Sequence, residues 1–134
     1  MKKIVLAGSS KFIESIEKWK EFFLKKGYDV IGCTKRINAE DINSFDEAYI
    51  SFFKALNMTD ELFVVNLEKN GFKGYIGAET FAEISYIVSN NIIKNENKPI
   101  YLLNMPDEKL NCYYELNSFL KLGYIKIWNK EDEV

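Results

Sequence analysis

A chain of 134 residues that is 47% hydrophobic, with ten Phe, eight Tyr and two Trp, has apolar side chains enough for one core without help from metals or disulfides. Its formal charge is only -2, and Arg36 is the sole arginine among 18 basic residues, so no basic stripe for a nucleic-acid polymer is present. With no histidine in the chain, Ser-His and Cys-His nucleophile systems and imidazole-held metals are excluded. Any acid or base has to be a carboxyl, a Tyr or a Lys.

The chain opens on Met1-Lys2-Lys3 and a short apolar run, Ile4 to Ala7, ending at Gly8-Ser9-Ser10. That run is too short for a signal peptide or a membrane span and reads as a first strand covered on both faces. A cytoplasmic protein with no membrane contact is expected. Phe12, Ile13, Ile16, Trp19, Phe22 and Phe23 then recur at three- and four-residue spacing, and Gly27 closes an amphipathic helix. Tyr28 to Cys33 makes a second strand and completes a βαβ unit. Thr34 to Ser44 is a long polar connection carrying Arg36 and Asp41. A helical stripe resumes from Asp46 to Asn57, and Leu62 to Leu67 is an apolar third strand with Asn66 near its end.

Glu68 to Gly77 contains Gly71, Gly74 and Gly77 and leads into a helix from Ala78 to Asn90. Pro99 to Leu103 is a fourth strand, its proline at the first position where a missing donor is tolerated. Asn104 to Asp107 is a turn, Glu108 to Leu122 a last helix capped by Gly123, and Tyr124 to Trp128 an edge strand before the acidic tail Glu131-Asp132-Glu133. Cys33 and Cys112 form no CxxC pair and read as ordinary partly buried thiols in a reducing compartment. Strand and helix alternate throughout, with no repeat or internal boundary. Right-handed crossovers therefore predict one α/β domain over 1–134, a flavodoxin-like, Rossmann-type three-layer sandwich with a parallel five-stranded sheet in the order 2-1-3-4-5.

In such a sheet the ligand crevice lies outside the carboxyl ends of the strands, where the first and third meet. Two loops converge there, Gly8-Ser9-Ser10-Lys11 and the stretch from Asn66 to Glu79. Gly8 permits close backbone approach, Ser9 and Ser10 offer hydroxyls and Lys11 a positive charge, which suits a sugar or phosphate. Equally, Ser9 or Ser10 caps the following helix and Lys11 is merely solvated. Neither a GxGxxG fingerprint nor a P-loop is present.

Glu79 and Glu83 stand four residues apart in the first two turns of the 78–90 helix and share a face. Favourable charge at a positive helix end explains either one, but Phe81, Ala82, Ile84 and Ile87 around Glu83 imply a largely buried helix. A buried carboxylate without a basic neighbour suits attack on an oxocarbenium-like sugar carbon, that is, N-glycosidic bond cleavage. Asn66, Tyr75 and Tyr86 are equally explained by ligand contact or by packing. Asp60 reads as a turn residue before the third strand. No metal or other cofactor is called for.

Lys3-Ile4-Val5-Leu6-Ala7-Gly8-Ser9-Ser10, Thr59 to Asn66 and Gly74-Tyr75-Ile76-Gly77-Ala78-Glu79-Thr80-Phe81-Ala82-Glu83-Ile84-Ser85-Tyr86 together resemble the nucleoside 2-deoxyribosyltransferase-like superfamily. The likeness extends to its small uncharacterised bacterial branch and to the deoxynucleoside 5′-monophosphate N-hydrolases. It implies a flavodoxin-like fold, a nucleoside or nucleotide as ligand, and a homodimer or higher oligomer with Tyr49, Phe52 or Phe53 at its seam. It further implies that Glu83 is a nucleophile forming a glycosyl-enzyme intermediate, and that Gly8 to Lys11 hold the sugar or 5′-phosphate. Three departures stand out: Val5 where the transferases carry a tyrosine, Gly77 where they carry an aspartate and the monophosphate hydrolases a serine, and Phe52 where a further aspartate is found. The expected activity is thus an N-glycosidase or deoxyribosyltransferase-like enzyme, with a non-catalytic nucleotide- or metabolite-binding module as the alternative.

Overall fold

The computed structural model describes residues 1–37 and 40–129. Asn38 and Ala39, inside the long polar connection, and the acidic tail lie outside those described residues. Strands β1 (Lys3–Ala7), β2 (Asp29–Cys33), β3 (Glu61–Val64), β4 (Ile100–Leu102) and β5 (Lys126–Ile127) alternate with helices α1 (Ile13–Lys25), α2 (Ile42–Met58), α3 (Ala78–Ile93) and α4 (Tyr113–Leu122). All neighbours pair in parallel in the order β2-β1-β3-β4-β5. This is the flavodoxin-like three-layer architecture that the alternation predicts.

Each central strand splits its apolar residues by parity, because successive side chains leave opposite faces of the sheet. Val5, Ala7, Leu62, Val64, Ile100 and Leu102 form one core with α2, α3 and α4. On the opposite face Ile4, Leu6, Phe63 and Val65 pack with Ile16, Trp19 and Phe23 of α1. Among the described residues α1 is the only helix on that side. Its cover is extended by Trp128, just past β5, whose ring meets Trp19 edge-on at 5.1 Å and whose N–H donates to the Leu102 carbonyl at 2.7 Å.

Several boundaries differ from the periodicity reading. A single 3-10 turn, Ser10–Phe12, precedes α1. Helix α2 begins at Ile42 rather than Asp46, because the Asp41 carboxylate accepts from the Asn43 N–H and starts the helix a turn earlier. Strand β3 ends at Val64, so Asn66 lies beyond the ladder. Helix α3 runs on to Ile93. Helix α4 begins at Tyr113 instead of Glu108. Ahead of it Asp107 accepts from the Lys109 N–H, and Leu110 and Tyr113 donate to carbonyls three residues earlier, so 107–112 is a run of turns. No helix of the described residues is long and apolar enough to cross a membrane.

Candidate functional site

The strands of a parallel sheet all point one way, so the returning helices start at its carboxyl edge, and this brings the β1 loop and the beginning of α3 to the same end. At that edge Gly8 is jammed against β3: a Cβ on it would stand 2.6 Å from the Val65 carbonyl oxygen. Strand packing thus requires this glycine. The Gly8 N–H donates to Thr34 Oγ1 at 3.2 Å, tying the β1 loop to the end of β2.

Ser9 does cap the 3-10 turn, accepting from the Lys11 N–H at 3.2 Å. Its hydroxyl oxygen also accepts from Lys69 Nζ at 3.2 Å, and that ammonium lies 4.6 Å from the centre of the Tyr75 ring. The Tyr75 hydroxyl in turn lies beside Gly77, 3.0 Å from where a Cβ would be. Gly77 is the N-cap residue of α3. A line of contacts therefore runs from Ser9 through Lys69 and Tyr75 to the start of the helix that carries Glu79 and Glu83.

Lys69 was not among the residues singled out from sequence. The readable signal was Asn70-Gly71, both with positive φ, which turn the chain so that Lys69 and Phe72 exchange two backbone hydrogen bonds of 3.0 Å. Asn-Gly is the favoured pair for such a hairpin turn.

Asn66 is fully buried, and its amide is committed to the protein. Nδ2 donates to the carbonyls of Gly74 at 3.2 Å and Asn104 at 2.7 Å, and Oδ1 accepts from the Asn104 N–H at 3.0 Å. The Asn104 side chain answers by donating to the Asn66 carbonyl at 2.9 Å. This reciprocal clamp joins the loops after β3 and β4 and holds the glycine-rich approach to α3 in place.

Glu83 is 8% exposed. It lies on the stripe Glu79–Glu83–Tyr86 of α3, which turns toward α2, since the Tyr86 ring meets Phe53 at 6.0 Å and its hydroxyl donates to Asn57 Oδ1 at 3.1 Å. No hydrogen bond or ion pair among the described residues reaches the Glu83 carboxyl. Burial, and behind it the neighbouring carboxylate of Glu79, push that carboxyl up to about 8, so it holds its proton at neutral pH. The other buried carboxylate, Glu61, is at the opposite edge of the sheet and has a partner, Lys2 Nζ at 3.0 Å. Glu79 itself is exposed, one helical turn nearer the start of α3.

Ser10 and Lys11 are exposed. Lys11 lines a depression of about 390 Å³ between the start of α1 and the Leu67–Asn70 turn, on the α1 face of the sheet. Neither Glu79 nor Glu83 lines it. Of the expected site residues, the fold links Ser9 to Gly77 through Lys69 and Tyr75 and uses Gly8 and Asn66 to build the edge. It places Lys11 and Lys69 together on the α1-face depression, while Glu79 and Glu83 stand on the α3 stripe that turns toward α2. Asp60 lies at the amino end of β3, where its carboxylate accepts from the Lys3 N–H at 2.9 Å, a turn role as expected. Of the residues named for a subunit seam, Tyr49 and Phe53 are exposed, whereas Phe52 packs against the core. Both cysteines are free thiols of intermediate burial, and burial pushes the Cys112 thiol up.

No protein-family model and no curated protein matches this chain. Among solved structures it is similar to the CMP N-glycosidase BcmB of Clostridium botulinum, at 19% sequence identity and a TM-score of 0.56, over 98% of this chain and 93% of that one. The likeness is one of fold: this chain shares the architecture of an enzyme that acts on an N-glycosidic bond.

Proposed function

We propose that this protein cleaves the N-glycosidic bond of a nucleoside or nucleotide, by hydrolysis or by sugar transfer, with Glu83 as the nucleophile. The observation that carries this reading is a nine-tenths buried glutamate at the carboxyl edge of a parallel sheet, whose carboxyl has no hydrogen-bond or ion-pair partner among the described residues. Burying such a group without a partner is costly, and a ligand that develops positive charge at a sugar carbon supplies the missing partner. The Glu83 carboxylate attacks C1′ as the bond to the base breaks, and water or a second base then displaces the glycosyl ester. The Ser9 loop holds the sugar or its phosphate. The fold shared with a CMP N-glycosidase and the family resemblance of residues 74–86 point the same way.

The test is base release, followed by liquid chromatography, from a panel of CMP, GMP, their 2′-deoxy forms and the four parent nucleosides. Glu83→Gln is expected to lower the rate at least ~10³-fold with an unchanged circular-dichroism spectrum. No release from any member would sink the catalytic reading.

A second reading, a non-catalytic module that binds a nucleotide or related metabolite, draws on three positions. Val5 is fully buried in the core, Phe52 packs against that core and Gly77 has no side chain, so none of them supplies the polar group the transferases have there. Thermal stabilisation by a panel member without its consumption would select this reading.

A further inference from the structure

We propose that Glu79 is the acid and base partner of Glu83, giving a proton to the departing base and taking one from the incoming water. The proposal rests on the reading of Glu83 as nucleophile and adds a second catalytic residue to it.

The geometry is that of one helix face. Side chains at i and i+4 stand with Cβ atoms ~5–6 Å apart, near enough for two glutamate carboxyls to adopt the ~5–5.5 Å separation used by glycosidases working through a covalent intermediate. Glu79 occupies the first turn of α3, exposed, whereas Glu83 is buried one turn further along the helix. No hydrogen bond or ion pair among the described residues engages either one, and Glu79 is the charged group that acts on Glu83, with none contributed from α2, the sheet or the loops. Gly77, at the helix cap, carries no side chain that could serve instead.

Two carboxyl groups in such different surroundings divide the labour of acid and nucleophile. The pair enters the cycle with a single proton, held by Glu83. As the sugar seats against Glu83 that proton passes to Glu79. The Glu83 carboxylate then bonds to C1′ while the C1′–N bond breaks, its electron pair leaving with the base and the Glu79 proton going to the same base. Water next bonds to C1′, gives its proton to the Glu79 carboxylate and returns the ester electron pair to Glu83. Sugar and free base are the products, and the single proton remains on the pair.

The bland role for Glu79, favourable charge in the first turn of α3, predicts that its loss only shifts the pH profile to lower pH, because its charge helps hold the Glu83 carboxyl up, without reversing the slope, and this separates the two. If the singly protonated pair is the active form, kcat/KM of the wild-type protein falls as pH rises through about 8. Removing the acid while keeping the nucleophile reverses that slope. Glu79→Gln, at an exposed position, is therefore expected to lower kcat/KM on a cleaved panel member ~10²-fold or more and to give a rate that rises, not falls, between pH 7 and 9. A loss below ten-fold, or a profile that keeps the wild-type shape, overturns the role of Glu79 while leaving Glu83 standing. A panel from which the wild-type protein releases no base removes this proposal together with the reading beneath it.

Discussion

Asn66 and Glu83 are both buried polar side chains near the same end of the sheet, yet they are treated in opposite ways. Asn66 spends its amide on three hydrogen bonds to backbone groups of Gly74 and Asn104, 8 and 38 residues away. Glu83 makes none among the described residues, and burial drives its carboxyl up to about 8. A satisfied buried group locks structure, whereas an unsatisfied one stores a demand that a ligand can meet. The difference marks Asn66 as a support of the fold, where sequence left ligand contact and packing equally open for it, and leaves Glu83, the residue expected to be the nucleophile, without a hydrogen-bond partner among the described residues.

The comparison breaks most visibly at Asn66. Asn66→Ala leaves the carbonyls of Gly74 and Asn104 and the Asn104 N–H without their partner, at an expected cost of about 3–4 kcal/mol in urea unfolding. A loss below about 1 kcal/mol would show that water replaces the clamp.

Glu83 sharpens the contrast in the opposite direction. Its folded-state carboxyl sits near 8, against 4.5 for the unperturbed group, so over that interval the unfolded chain has released a proton that the folded chain retains. Stability from this group accordingly falls as pH rises from about 4.5 to 8 and stays at its lower level above. Glu83→Gln abolishes the charge, and is expected to raise stability by about 2–3 kcal/mol at pH 9 and by little at pH 5. Equal stability of the two proteins at both pH values would contradict an unpartnered, buried carboxyl.

The smallest effect is expected at Lys69, whose ammonium touches Ser9 Oγ and the Tyr75 ring near the surface. Lys69→Met should cost under about 1 kcal/mol in thermal unfolding. A larger loss would mean that the contact line from Ser9 to α3 bears part of the fold's stability.

The order of strands and helices was legible from chain pattern alone, because a 3.6-residue stripe such as Ile16, Trp19, Phe23 and a buried run such as Ile4 to Ala7 are local properties. Helix beginnings were less so. Ile42 is exposed and carries no stripe, and only the Asp41 cap starts α2 there. At the other end of the chain, Asp107 closes turns where a helix was expected. Within the site, the shared face of Glu79 and Glu83 followed from spacing, and burial of Glu83 from its apolar neighbours. Lys69 did not stand out, since its contacts with Ser9 and Tyr75 depend on how the Asn70-Gly71 turn folds back.

What the sequence determined by itself is what adjacent residues decide together: the alternation of elements, the parity of the core strands, the absence of imidazole chemistry and the pairing of two carboxyls on one helix face. Tertiary structure decided which polar groups find partners, because the Asn66–Asn104 clamp joins residues 38 positions apart and the isolation of Glu83 depends on what α2 and the sheet do not offer it. Hydrogen-bond satisfaction is a property of the assembled interior, and it separates Asn66, which holds this fold, from Glu83, whose carboxyl meets no hydrogen-bond partner among the described residues.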